Sequence, residues 1–209
     1  MSKRSLIFTF AALFCILLVA CGVVTSQGSI NVRGSGNIIT RDYPLSGFTG
    51  ISACCGFKVT VAGGDAFHVS VTADDNIVEV LSVRQEGGTL YLELDRSKTI
   101  SIQSNRLEAA VTMPSLQRVD LSGGSRLDLA QPAPQADSFT MTGSGGSTTD
   151  LSAMAAQKAS VTLSGGSHAT LKVTGSLDYD LSGGSQLRFT GNPKVGSSQT
   201  SGGASANPF

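Results

Sequence analysis

The sequence predicts an all-β chain folded as a right-handed parallel β-helix, a β-solenoid with rungs of about 20 residues and N-terminal strands continuing the same stack. Three observations predict it. Ser-Gly-Gly-Ser recurs at 122–125, 144–147, 164–167 and 182–185, at spacings of 22, 20 and 18 residues. The flanks of these four turns align into alternating apolar and polar columns. The composition is rich in glycine, with 25 residues, and poor in charge, at 14%. Such a composition suits short strands and tight turns better than helices.

The columns justify the stack. Three residues before the first serine stand Val119, Met141, Val161 and Tyr179, and one before stand Leu121, Gly143, Leu163 and Leu181. Five and seven residues after it stand Leu127, Thr149, Ala169, Leu187 and Leu129, Leu151, Leu171, Phe189. Between them run the polar columns Asp120, Thr142, Thr162, Asp180 and Asp128, Asp150, Thr170, Arg188. One strand–turn–strand unit cannot bury its apolar face alone, so units must stack. The Gly pairs are placed at corners with positive φ. The flanking serines are placed to hydrogen-bond locally or along the stack. A β-sandwich of hairpins is the competing architecture.

Upstream, Phe57, Val59 and Val61 alternate with Lys58 and Thr60, and Phe67, Val69 and Val71 with His68 and Ser70. Leu90, Leu92 and Leu94 alternate with Tyr91 and Glu93. Each is a half-buried strand by its period of two. Gly63-Gly64 and Gly87-Gly88 supply turns. Residues 76–85 are the one segment readable as either a short helix or a strand. Residues 193–209 read as a decayed repeat or a disordered Gly/Ser-rich end.

The first 20 residues read as a signal peptide. Lys3 and Arg4 precede an apolar run from Leu6 to Val19, too short for the roughly 20 residues of a membrane span. Leu18-Val19-Ala20-Cys21 closes it and is similar to a bacterial lipobox, which implies lipidation at Cys21. Residues 21–33 then form the lipidated Cys and a tether, and 34–192 the β-domain. Loss of Lys3 and Arg4 with the leader leaves 13 basic against 15 acidic groups, without the basic stripe of a nucleic-acid binder. Cys54 and Cys55 are read as two free thiols, one facing the core and one solvent, because a bond between neighbours is strained.

The order Gly34-Ser35-Gly36-Asn37-Ile38, Leu45-Ser46-Gly47-Phe48, Ile51, Phe57–Val61, Val69–Asp75, Gly87–Leu92 and then the Ser-Gly-Gly-Ser turns resembles the family called putative auto-transporter adhesin, head GIN domain. The similarity spans about residues 34–192 and departs at Cys54-Cys55, where that family has a polar or glycine-rich step. The resemblance implies an exported envelope protein, often a lipoprotein, with a β-helix-like fold. It carries no catalytic residues to transfer.

Chemistry is correspondingly sparse. His68 and His168 read as surface imidazoles, and no Gly-x-Ser-x-Gly stands in a strand–turn–helix context. Asp128 and Asp150 could share a cation, but two carboxylates fall short of the six or more oxygens that calcium takes. No catalytic, cofactor or metal site is therefore expected. The sequence points to a non-enzymatic cell-envelope module, anchored by lipid in the outer membrane or at the cell surface. It would bind a glycan or surface protein through Thr142, Thr162, Asp128 and Asp150, and no nucleic acid. A polysaccharide-acting β-helix enzyme and a purely structural envelope component are the alternatives.

Overall fold

The structure is a computed structural model that describes residues 30–95, 97, 100–104 and 106–209. The expected signal peptide, Cys21 and most of the expected tether lie outside the described residues. The strands in chain order are β1 (Ile30–Arg33), β2 (Ile38–Asp42), β3 (Gly50–Ala53), β4 (Lys58–Gly63), β5 (His68–Asp74), β6 (Leu81–Glu86), β7 (Thr89–Leu94), β8 (Ile100–Gln103), β9 (Leu107–Met113), β10 (Arg118–Leu121), β11 (Arg126–Leu129), β12 (Ala136–Gly143), β13 (Thr148–Leu163), β14 (His168–Leu181), β15 (Gln186–Thr190), β16 (Lys194–Thr200) and β17 (Ser205–Pro208). One short helix, α1 (Asp75–Val78), sits between β5 and β6. The ambiguous segment 76–85 is thus partly helix and partly strand.

The predicted right-handed parallel β-helix is not what forms. The chain is all-β, but fifteen strands join in one curled, half-barrel mixed sheet of order β2-β5-β9-β4-β11-β13-β12-β10-β3-β7-β6, with β14 to β17 continuing from β13. Three antiparallel pairings overturn the prediction: β2 with β5, β5 with β9, and β6 with β7. The N-terminal strands therefore do not all continue one parallel stack. The physical reason lies in the turns. Glu86-Gly87-Gly88-Thr89 is a two-residue hairpin whose glycines hold φ of 55° and 77°, and such a turn reverses the strand. β1 and β8 form a separate parallel pair.

The ladders that link β3 and β4 through β10, β12, β13 and β11, and those that add β14 to β17, are all parallel, and the residues aligned by the four turns are Cα partners. Val119 pairs Met141, Met141 pairs Val161 and Val161 pairs Tyr179. On the far side of the turn, Leu127 pairs Thr149 and Ala169 pairs Leu187. Side chains alternate across a pleated strand, so these apolar positions share the inner face. Val119, Met141, Val161, Leu127, Leu163, Leu181 and Leu187 are all buried. Gly143 leaves a gap in its column, and Leu163 Cδ2 fills it, only 2.7 Å from where a Gly143 Cβ would stand.

The corners stack as well. Ser122 N donates to Ala53 O, Ser144 N to Leu121 O, Ser164 N to Gly143 O and Ser182 N to Leu163 O, each at 2.9–3.0 Å. The last serine of each turn is fully buried at Ser125, Ser147, Ser167 and Ser185. Ser167 Oγ donates to Gly143 O of the preceding turn and to Ser164 O, while Ser185 Oγ reaches Leu163 O. The hydroxyls of Ser125 and Ser147 have no hydrogen-bond partner among the described residues.

Two further expectations are corrected. Cys54 and Cys55 are joined in a disulfide, and both are half-buried, not one in and one out. They lie past the end of β3 in a turn, where strand alternation no longer applies. Of the two readings of the C-terminal tail, the disordered end is the one overturned: the tail continues the repeat as β16, pairing β14, and β17, pairing β15. Its backbone joins the ladder even though β16 buries none of its side chains.

Candidate binding face

Each sequence-predicted site residue other than Cys21 falls on a described strand. Thr142 and Thr162 are exposed Cα partners on β12 and β13. Asp128 and Asp150 are partners on β11 and β13. The structure brings each pair together and places the two pairs on opposite sides of the Gly-Gly corner. Asp128 is half-buried and engaged by Arg126, whose Nε and Nη2 lie 2.5 and 2.8 Å from its two oxygens. That bond raises the Arg126 pKa above its ordinary value. Asp150 is exposed and accepts the Ser152 N–H and hydroxyl at 3.0 and 2.7 Å.

Thr142 and Thr162 belong to a longer line. Following the registers across the outer face gives Arg84, Tyr91, Ser52, Asp120, Thr142, Thr162, Asp180 and Gln199, one residue from each of eight neighbouring strands. At about 4.8 Å per strand the line runs about 34 Å. A second line two residues earlier on the parallel strands gives Glu86, Thr89, Gly50, Arg118, Thr140, Ser160 and Asp178.

At one end these lines open into a cleft of about 800 Å³. Its floor is Gly50, the single position of either line without a side chain. A Cβ there would lie 3.0 Å from Thr89 Oγ1 and 3.3 Å from Arg118 Cβ. One wall is Arg84, whose guanidinium lies 4.4 Å over the Tyr91 ring and 2.9 Å from the buried carboxylate of Glu93. That hydrogen bond holds the Arg84 pKa above its ordinary value. The other wall carries Arg118, exposed and in none of the ion pairs among the described residues.

Sequence reasoning reached the Thr142–Thr162 line but missed the cleft. One signal was available: the column four residues before each first serine reads Arg118, Thr140, Ser160, Asp178, a single cation among hydroxyls and an acid. Among the described residues, no group of three or more His, Cys, Asp or Glu side chains is arranged to hold a metal ion. No helix among them is long and apolar enough to cross a membrane.

Comparison with known proteins follows the fold. A putative adhesin from Bacteroides fragilis NCTC 9343 superposes with a TM-score of 0.58 at 16% identity, covering 85% of this chain and 100% of that one. A putative lipid binding protein from Parabacteroides distasonis ATCC 8503 gives 0.49 at 16% identity, covering 86% and 100%. A putative adhesin from Parabacteroides merdae ATCC 43184 gives 0.47 at 13% identity, covering 86% and 99%. No curated protein is a significant match. The family model described as putative auto-transporter adhesin, head GIN domain, matches residues 47–135 and 133–193, which hold the sheet except for β2, β16 and β17, and the chain belongs to that family.

Proposed function

We propose that this protein is a non-enzymatic adhesion module of the bacterial cell envelope, anchored through lipid at Cys21 and binding a glycan or surface protein along its outer polar face. Membership in an adhesin family supports the adhesive, non-enzymatic and surface-located part of the reading. The observation that carries the choice of surface is the line through Thr142 and Thr162, which presents hydroxyls, amides and carboxylates at the fixed spacing of a parallel ladder. A repeating partner can meet such a line at several points. Each contact is weak, and many copies on one membrane add by avidity. Asp128 and Asp150 offer a second, shorter row beyond the corner.

Cell-adhesion assays test this reading. Replacing Thr142, Thr162 and Asp150 together with Ala should lower adhesion of cells displaying the full chain, with folding unchanged by circular dichroism. Unchanged adhesion would leave only a structural envelope role. For the anchor, Cys21→Ser should move the protein out of the membrane fraction or block processing, and mass spectrometry should find acyl chains on the wild type alone.

A further inference from the structure

We infer that the cleft at the end of the polar lines is a subsite for a carboxylate-bearing sugar, with Arg118 as the group that recognises the acid; this rests on the adhesion reading above and names its ligand class. Four features converge there.

The first is shape. Gly50 is an outward position on the third strand from the β6 edge of the sheet, flanked by Arg118 on β10 and Thr89 on β7. Its missing side chain makes the floor of the cleft of about 800 Å³. Even a methyl group at Gly50 would press on both neighbours.

The second is charge. Arg84 is satisfied: it pairs with Glu93 at 2.9 Å, lies 3.7 Å from Glu86 and stacks on Tyr91. Its position is fixed from three sides. Among the described residues Arg118 has no carboxylate partner, so it is the unspent cation of the cleft. A guanidinium binds a carboxylate through two parallel N–H donors, which fixes orientation as well as charge.

The third is the surrounding hydrogen-bonding capacity. Thr89, Tyr91, Ser138 and Thr140 line the same cleft and supply hydroxyls that both donate and accept. A group needing only an anion hole would have no use for them. A sugar ring bearing several hydroxyls and one carboxylate matches both halves of the set.

The fourth is the charge gradient along the lines. At the cleft end the acids Glu86 and Glu93 are both taken up by Arg84, which leaves Arg118 as the excess cation there, whereas Asp178 and Asp180 stand at the far end with no cation beside them in either line. The acid of a bound saccharide is thereby directed to the cleft, and neutral hydroxyl-rich residues to the Thr142–Thr162 stretch.

The test uses the full-length protein on immobilised polygalacturonate, dextran sulfate and neutral dextran, read by surface plasmon resonance, with adhesion to cells measured alongside. Polygalacturonate should bind more tightly than dextran. Arg118→Gln should weaken it by about tenfold, the scale of losing a charge-assisted hydrogen-bonded pair. Arg118→Lys should recover only part of the loss, because the ammonium lacks the planar fork. Gly50→Ala, which fills the floor and crowds Arg118 Cβ while keeping the guanidinium, should weaken polygalacturonate binding and leave cell-surface levels unchanged. Dextran sulfate binding as tightly as polygalacturonate would overturn the carboxylate assignment. So would polygalacturonate binding insensitive to Arg118→Gln. Either result leaves the adhesion reading standing so long as the wild type still adheres to cells. No binding to any polysaccharide together with no cell adhesion would overturn both.

Discussion

Cys55 lies directly against Gly123: a Cβ on Gly123 would sit 3.1 Å from the Cys55 nitrogen, and both residues hold a positive φ, 68° and 59°. Cys54-Cys55-Gly56-Phe57 is thus the corner that precedes Ser122-Gly123-Gly124-Ser125, with Ser122 N donating to Ala53 O and Arg126 N to Phe57 O. A cysteine occupies the left-handed position that glycine takes at residues 123, 145, 165, 183 and 202. Its disulfide to Cys54 ties that strained residue to its neighbour.

This corner gives the first prediction. The double variant Cys54→Ser, Cys55→Gly restores the Ser-Gly-Gly turn and removes a left-handed non-glycine residue costing about 1 kcal/mol. The lost cross-link closes too short a loop to restrict the unfolded chain much. Its melting temperature should equal or exceed that of the wild type. Thiol labelling of the native wild type should modify neither sulfur until a reductant is added.

The inner and outer faces differ in their tolerance of charge. Leu163 is 1% exposed, and Thr162 beside it faces solvent. Leu163→Asp buries an unpaired carboxylate and should cost several kcal/mol. Thr162→Asp should stay within about 0.5 kcal/mol. Urea denaturation of both variants checks the assignment, and equal effects would shift the register by one residue.

The two glycines of a corner are not equivalent. Gly165 has φ 67°, and a Cβ there would lie 2.8 Å from Gly145 O. Gly166 lacks the positive φ, and its Cβ would keep an ordinary 3.7 Å from the same oxygen. Gly165→Ala should therefore destabilise by more than about 1 kcal/mol through strain and the clash. Gly166→Ala should be near neutral. Thermal melts of the pair, compared side by side, separate strain from loss of glycine alone.

Acid should loosen the junction of the N-terminal loop with α1. The buried Asp74 carboxylate is held below the ordinary value of 3.8, first by the Ser104 hydroxyl and then by the Gly36 N–H, at 2.6 and 2.7 Å. Asp75 is likewise lowered, by Ser35 and then Asn37. A depressed folded-state pKa means the carboxylates contribute their full stability above 3.8 and lose it as pH falls through the depressed values. Asp74→Asn should lower stability at neutral pH and flatten its decline below 3.8. Denaturation midpoints across pH 2 to 7 read both effects.

The sequence carried the parallel ladders because equal positions in successive turns become Cα partners, as with Asp120, Thr142, Thr162 and Asp180. It did not carry strand direction. The alternation of Val69 and Val71 looks the same whether β5 runs with or against β9, so the antiparallel pairs were invisible to periodicity. Gly87-Gly88 did announce a reversal, but a double glycine at a solenoid corner has the same letters. The cleft was harder still. Gly50, Thr89 and Arg118 come from three distant stretches, and only the register of β3 between β7 and β10 makes them neighbours. The tail misled through composition: Ser201-Gly202-Gly203 kept the turn, with Gly202 at φ 67°, while its strands kept almost no apolar residues.

The placement of the strands at the margins of the sheet has a mechanical consequence. β2 forms one margin of the sheet, whereas β16 and β17 extend past β14 and β15 at another. A pull on β17, directed away from β15, loads the hydrogen bonds of that strand nearly head-on, and a pull on β16 away from β14 does the same. They would then open in sequence, like a zipper, and not all at once under shear. A load-bearing attachment made this way yields in small steps at modest force and can re-form each step when the tension falls.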